Sequence, residues 1–187
     1  GHPVWIDPCE WLGLKNKAYP LHLISNQPKN KLHSQMDHGS HSKSFKIKDR
    51  EPVEINPIDA EVRGLKNGDI VRLFNDRGAC LAGVKIDERI RLSVVQISTG
   101  AWYDPENPKK PGSICKHGNP NVLTRDKGTS KLGQGPIAHS CLIQMEKYKG
   151  TLPKLTAHEP PVIIRPDTSS GSMKGKHNGK SSGIIRS

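Results

Sequence analysis

The stretch Val53-Glu54-Ile55-Asn56-Pro57-Ile58-Asp59-Ala60-Glu61-Val62-Arg63-Gly64 holds a strand, a helix start and a helix stop in immediate succession. Val53 and Ile55 alternate with polar Glu54, the period of a strand with one buried face. Asn56 is a good N-cap, Pro57 suits the first helical position because its missing N–H would have no partner there, and Gly64 lets a helix end. The spacing predicts a short helix over 57–63. Working outward, Lys66-Asn67-Gly68-Asp69 reads as a tight turn into the strand Ile70-Val71-Arg72-Leu73-Phe74. Asn75-Asp76-Arg77-Gly78 then turns that strand back into another over 79–86. Further apolar strands fit at Pro20-Leu21-His22-Leu23-Ile24, Ile90-Arg91-Leu92-Ser93, Val94-Val95-Gln96-Ile97 and Cys141-Leu142-Ile143-Gln144-Met145. The fold class is therefore mainly β with short helices, its core within 20–148. A small closed barrel accommodates so many short strands without exposed edges.

Between these strands lie long stretches without apolar period. Ser25-Asn26-Gln27-Pro28-Lys29-Asn30 closes the first strand with a polar cluster, and 36–48 reads as an exposed loop. Residues 98–136 are mostly loop, and loops this long inside a compact domain usually carry function or go without order. Residues 1–18 form an arm whose Trp5-Ile6 and Trp11-Leu12 would be costly to leave in water, so it should pack on something. The division predicted is an arm at 1–18, a domain at 19–150, and an extension with a disordered tail at 151–187. Residues 41–45 and 167–187 offer little apolar surface to offset ordering entropy and are predicted to be mobile.

A net charge of +11 on 187 residues is compatible with nucleic acid. Its distribution argues otherwise, since Lys and Arg are scattered singly, aromatics are 4%, and no basic helix or zinc-finger spacing is present. The alternative kept open is a free-standing basic module that binds nucleic acid or another anion without redox chemistry. Cys9, Cys80, Cys115 and Cys141 are too far apart for a paired metal motif, and leave two disulfides or four thiols equally open. No run approaches the ~18 apolar residues of a membrane span, so the chain reads as soluble. It opens Gly1-His2-Pro3 without methionine, which predicts a processed chain or one lacking its start.

Catalytic constellations are hard to assemble. There is no Gly-x-Ser-x-Gly elbow, no P-loop and no His-Glu-x-x-His. His33, His38 and His41 have no common metal-site spacing and sit in polar sequence, so they read as surface histidines. More informative are the amides and glycines of the loops: Asn26, Gln27, Gln35, Asn119, Asn121, and Gln134 between Gly133 and Gly135. An amide offers both donor and acceptor, as a purine or pterin edge requires, and glycine lets backbone N–H groups approach a phosphate. The same residues also make ordinary turns. On the residues alone both readings stand.

Several ordered motifs then resemble one family. Leu23-Ile24-Ser25-Asn26-Gln27-Pro28 followed by Leu32-His33-Ser34-Gln35 looks like the opening of the molybdopterin-dinucleotide-binding domain of the dimethyl sulfoxide reductase family. Ile55-Asn56-Pro57-Ile58-Asp59-Ala60, Gly68-Asp69-Ile70-Val71, Asn75-Asp76-Arg77-Gly78, Ser98-Thr99-Gly100-Ala101-Trp102-Tyr103-Asp104-Pro105, Gly118-Asn119-Pro120-Asn121 and Gly128-Thr129-Ser130 continue the pattern over 4–148. The wording at Trp102-Tyr103 and Asn119-Pro120-Asn121 is similar to the trimethylamine N-oxide and biotin sulfoxide reductase branch. This resemblance implies a double-psi β-barrel and a bis(molybdopterin guanine dinucleotide) molybdenum cofactor shared with domains outside this chain. It implies S- or N-oxide reduction by the whole enzyme, with neither a catalytic residue nor a metal ligand in 1–187, so the chain alone is not expected to be catalytic. Asn26, Gln27, His33, Ser34 and Gln35 are expected to line one side of the pterin site, Thr99 and Gly100 to bring backbone beside it, and Asn119, Asn121 and Gln134 to add amides. The compartment implied is the bacterial periplasm, with the cytoplasm as the other choice.

Overall fold

A computed structural model of the chain describes residues 1–160 and residue 163. The predicted tail at 167–187 lies outside the described residues. Strands β1 (Leu21–Ile24), β2 (Pro52–Ile55), β3 (Ile70–Asn75), β4 (Gly78–Ile86), β5 (Val94–Ile97) and β6 (Leu142–Lys147) close into a barrel in the order β1-β5-β2-β4-β3-β6. The fold class is as the sequence implied, mainly β with short helices. Two pairs, β1 with β5 and β2 with β4, are parallel, and the others are antiparallel. This pattern is consistent with a double-psi barrel.

The interior is filled by alternate residues of the strands: Leu21 and Leu23, Val53 and Ile55, Val71 and Leu73, Cys80, Ala82 and Val84, Val95 and Ile97, Ile143 and Met145. Period-two alternation puts one face of each strand inside, and closure removes every strand edge. Helix α2 (Pro57–Val62) starts as the sequence implied, with the Asn56 side chain accepting from the Ile58 N–H at 2.9 Å. The Lys66 to Asp69 turn and the hairpin joining Asn75 to Gly78 also form where the local residues put them.

The structure corrects two expectations. Ile90-Arg91-Leu92-Ser93 is not a strand but a turn: Ser93 sits at φ 63°, and its N–H donates to the Asp59 carboxylate at 2.6 Å. Asn56 Nδ2 donates to the Ile90 carbonyl at 2.7 Å, so polar groups of the neighbouring helix start hold this stretch in the turn that leads into β5. The 36–48 stretch is not a plain exposed loop either. It contains helix α1 (Ser40–Ser44), and Asp37 and Ser42 are buried. All four cysteines are free thiols, with Cys9 exposed and the others buried. Burial pushes the Cys80 thiol well above its ordinary pKa. Among the described residues no helix is long and apolar enough to cross a membrane.

Candidate cofactor-binding end of the barrel

Strand directions decide where the loops emerge. β1, β3 and β5 run one way, and β2, β4 and β6 the other. The connections 25–51 (β1 to β2) and 98–141 (β5 to β6) therefore leave from the same end, beside the β3–β4 hairpin. Every candidate site residue lies on these two loops. The opposite end carries α2 and the short turns.

Because β1 and β5 are parallel neighbours, the loops that follow them touch. The Asn26 carbonyl accepts from the Thr99 N–H at 2.9 Å, and Ser98 Oγ lies 3.5 Å from Asn26 Oδ1. Gly100 has φ +93° and packs so closely on the chain at His33 that a Cβ there would collide with the His33 carbonyl oxygen. Only glycine suits that place. Trp102 Nε1 donates to the Ser34 carbonyl at 2.8 Å. Asn26, His33, Ser34, Thr99 and Gly100 are thus brought together, with Gln27 and Gln35 exposed on the same loop.

Asn121 is exposed and lines a groove of about 400 Å³ with Arg77, Tyr103, Ser113 and Thr124. Asn119 has its side-chain oxygen engaged by the Asn121 N–H at 2.9 Å, capping a 3-10 turn over Pro120–Val122. Turn chemistry accounts for that oxygen. Gln134 donates to the Lys131 carbonyl of its own loop, and no hydrogen bond joins it to the other candidates. Arg77 is held at the groove by Glu10 of the arm, which also accepts from Arg125 and from the Leu142 N–H. Burial would raise the Glu10 pKa, but these bonds outweigh it and hold the carboxyl at about 2. The arm thus packs through Glu10, while Val4, Trp5 and Ile6 are exposed. A larger hollow of about 570 Å³ lies toward the helix end. Its Arg63, Arg72 and Lys147 are paired with Asp59, Glu146 and Asp69, which leaves their charge little use for an anion.

Sequence reading missed what lies beneath the loops. Asp37 Oδ1 accepts from Lys31 at 2.6 Å and Lys46 at 2.9 Å, and both lysines also reach Glu51 at 2.9 Å. None of these side chains is more than 4% exposed. Two acids thus face two ammonium groups, which is how buried charge is tolerated. Burial alone would raise the Asp37 pKa, yet its hydrogen bonds from Lys31 and Lys46 win and hold it ionised, below the usual carboxylate range. Asp37 Oδ2 accepts from the Trp102 N–H at 3.3 Å and lies 3.1 Å from His158 Nε2. His117, 1% exposed, has Nδ1 3.0 Å from the Trp102 carbonyl and, among the described residues, no partner for Nε2. Burial pushes its pKa down to about 4, so it is neutral near pH 7.

Asp37, His117 and His158 offer one ligand atom each within 4.8 Å of one another, a spacing a metal ion could use. The charges speak against one. Lys31 and Lys46 already neutralise the acids, so a divalent cation would add unbalanced buried charge. The cluster is a hydrogen-bonded network. His33, His38 and His41 are exposed, as the sequence implied.

Residues 21–142 match the family profile of the molydopterin dinucleotide binding domain. Trimethylamine-N-oxide reductase 1 of Escherichia coli (strain K12) is 47% identical over 159 residues, covering 83% of this chain and 19% of that protein. The dimethyl sulfoxide/trimethylamine N-oxide reductase of Cereibacter sphaeroides is 42% identical over 160 residues, 86% of this chain and 20% of its own length. The chain thus spans about a fifth of these relatives. In fold it is similar to acetylene hydratase from Pelobacter acetylenicus, with TM-score 0.61 over 78% of this chain and 21% of that one, at 17% identity. None of these similarities supports the free-standing anion-binding reading. With its closed barrel, its two loops at one end and its sequence match over most of the barrel, the chain belongs to the molydopterin dinucleotide binding domain family.

Proposed function

We propose that the loop end of the barrel forms one wall of a bis(molybdopterin guanine dinucleotide) molybdenum site in a reductase of S- or N-oxides, trimethylamine N-oxide first. The observation that carries this reading is the convergence of the 25–51 and 98–141 loops at one end, where the chain at Asn26, His33 and Ser34 meets that at Thr99, Gly100 and Trp102. The residues suit such a group: Gln27, Gln35 and Asn121 present exposed amides that can donate and accept, while Arg77 in the groove beside Asn121 has its charge paired with Glu10. When bound, the cofactor supplies oxygen-atom transfer at its metal. This chain's residues bind and orient it. Asn26, Gln27, His33, Ser34 and Gln35 face one side, Thr99 and Gly100 bring backbone alongside, and Asn119, Asn121 and Gln134 complete the far side. The domain so used spans 19–150, between the 1–18 arm and the extension after it. The remaining domains of the parent reductase are its partners, and the chain alone does not turn over. The compartment that goes with this reading is the periplasm.

Asn121→Ala in the parent enzyme tests the reading. A pterin or purine edge left without its partner costs roughly 1–3 kcal/mol of binding, so cofactor retention falls about tenfold or more while the melting temperature barely moves. Molybdenum per chain and thermal unfolding are read on one preparation. Normal loading with a large fall in melting temperature would return Asn121 to turn chemistry.

A further inference from the structure

The stretch after β6 does not trail away from the barrel. Arg50 Nη2 donates to the Pro153 carbonyl at 2.6 Å, and Lys116 Nζ to the Lys154 carbonyl at 3.0 Å. Thr156 donates to Asp104 through both its N–H (2.8 Å) and its hydroxyl (2.6 Å). His158 ends this series with Nε2 3.1 Å from Asp37 Oδ2. Each anchor belongs to the loop end or its immediate approach.

His158 differs from the others in what its partners touch. Asp37 is ionised and can only accept, so His158 Nε2 carries the proton of that bond. The same carboxylate oxygen accepts from the Trp102 N–H. The His158 ring also meets the Trp102 indole edge-on, centroids 5.2 Å apart and planes at 78°, and His117 at 4.9 Å and 86°. Trp102 in turn holds the Ser34 carbonyl through Nε1, two residues from where Gly100 presses on His33. A short path therefore runs from His158 through Asp37 and Trp102 to His33 and Ser34. Asp37 and Trp102 join the two loops directly, and His158, which belongs to neither, buttresses both partners of that junction.

We infer that His158 is a positioning residue for the cofactor-binding loops, fixing Trp102 between Asp37 and Ser34 so that the backbone at 33–34 and 99–100 is set before the cofactor arrives. The inference rests on the preceding reading of the loop end. Preorganised sites lose affinity when a supporting contact is removed, even if the contact never meets the ligand. Thr156 supplies the control, because its partner Asp104 lies outside that path. A role confined to fastening the extension would make the two positions equivalent.

The experiment uses the full-length parent protein carrying His158→Ala, His158→Gln or Thr156→Val. Bound pterin per chain is measured by fluorescence after oxidative release, the rate of cofactor loss is followed on dilution, and the melting temperature is recorded for each. The expected result is that His158→Ala releases cofactor about tenfold faster, the effect of one lost hydrogen bond to a charged group. His158→Gln, whose amide can still donate to Asp37, recovers most of the retention, and Thr156→Val lowers the melting temperature with release unchanged. Equal release rates for His158→Ala and Thr156→Val, or for His158→Ala and the unaltered protein, would overturn the inference while leaving the cofactor-wall reading intact. Absence of pterin from the unaltered protein would instead sink that reading.

Discussion

The two ends of the barrel solve the same problem by different means. At the helix end the connections are held by single hydrogen bonds within one and between the two: Asn56 caps α2 and, across 34 positions, reaches Ile90, and Asp59 receives the Ser93 N–H. At the loop end the 25–51 and 98–141 connections are long, and they are held by buried charges from distant parts of the chain, with Asp37 and His158 separated by 121 positions. Loops that must present their backbone and amides outward need an inner scaffold, and here that scaffold is the Lys31, Asp37, Lys46 and Glu51 network. Buried ion pairs add little net stability compared with apolar packing, so conformational definition is the better account of their presence.

The contrast is easiest to break at Asp37. Asp37→Ala leaves Lys31 and Lys46 facing Glu51 alone, and removing one partner from a buried charge network costs about 3–5 kcal/mol. Urea unfolding should show that loss, and amide exchange should accelerate across 31–51 and 99–104 while α2 keeps its protection. Uniform loss of protection over both ends would mean that they are one cooperative unit.

A pH titration sharpens the comparison from the same side. His117 has a folded pKa of about 4 against an ordinary 6.5. Between these values the unfolded chain takes up a proton that the folded chain refuses. Stability from this group is therefore complete above pH 6.5 and declines as pH falls toward 4, by roughly 3 kcal/mol at most. His117→Gln should flatten that part of the profile, and parallel profiles for the two proteins would remove His117 from the account. The smallest effect is expected at the helix end. Asn56→Ala removes a cap and the bond to Ile90, about 1–2 kcal/mol, with no change in cofactor content of the parent protein.

What was legible in the sequence follows the same division. The α2 cap, the Lys66 to Asp69 turn, the β3–β4 hairpin and the alternating core residues are written in neighbouring positions, and each formed where local chemistry put it. Ile90-Arg91-Leu92-Ser93 misled because its alternation is that of a strand, while the groups that turn it aside, Asp59 and Asn56, lie more than a helix away. The 36–48 stretch misled more deeply. Asp37 among polar residues looks like any solvent-facing acid, and nothing nearby announces that Lys31, Lys46, Trp102 and His158 will close over it. The candidate amides came from loop composition and family likeness, and the structure gathers those near β1 and β5 while leaving Gln134 to its own loop.

The pairing of β1 also sets a timetable. Its neighbours are β5, met through His22 and Val94, and β6, met through Leu21 and Ile143, so the first strand of the barrel to be synthesised has no early partner. The β3–β4 hairpin can form as soon as it leaves the ribosome, and β2 can join β4 shortly afterwards. β1 must wait for β5 before it has any partner, and its second edge stays open until the chain has emerged past Lys147. Long-range closure of this kind slows folding and lengthens the time for which a nascent chain needs shelter from its neighbours.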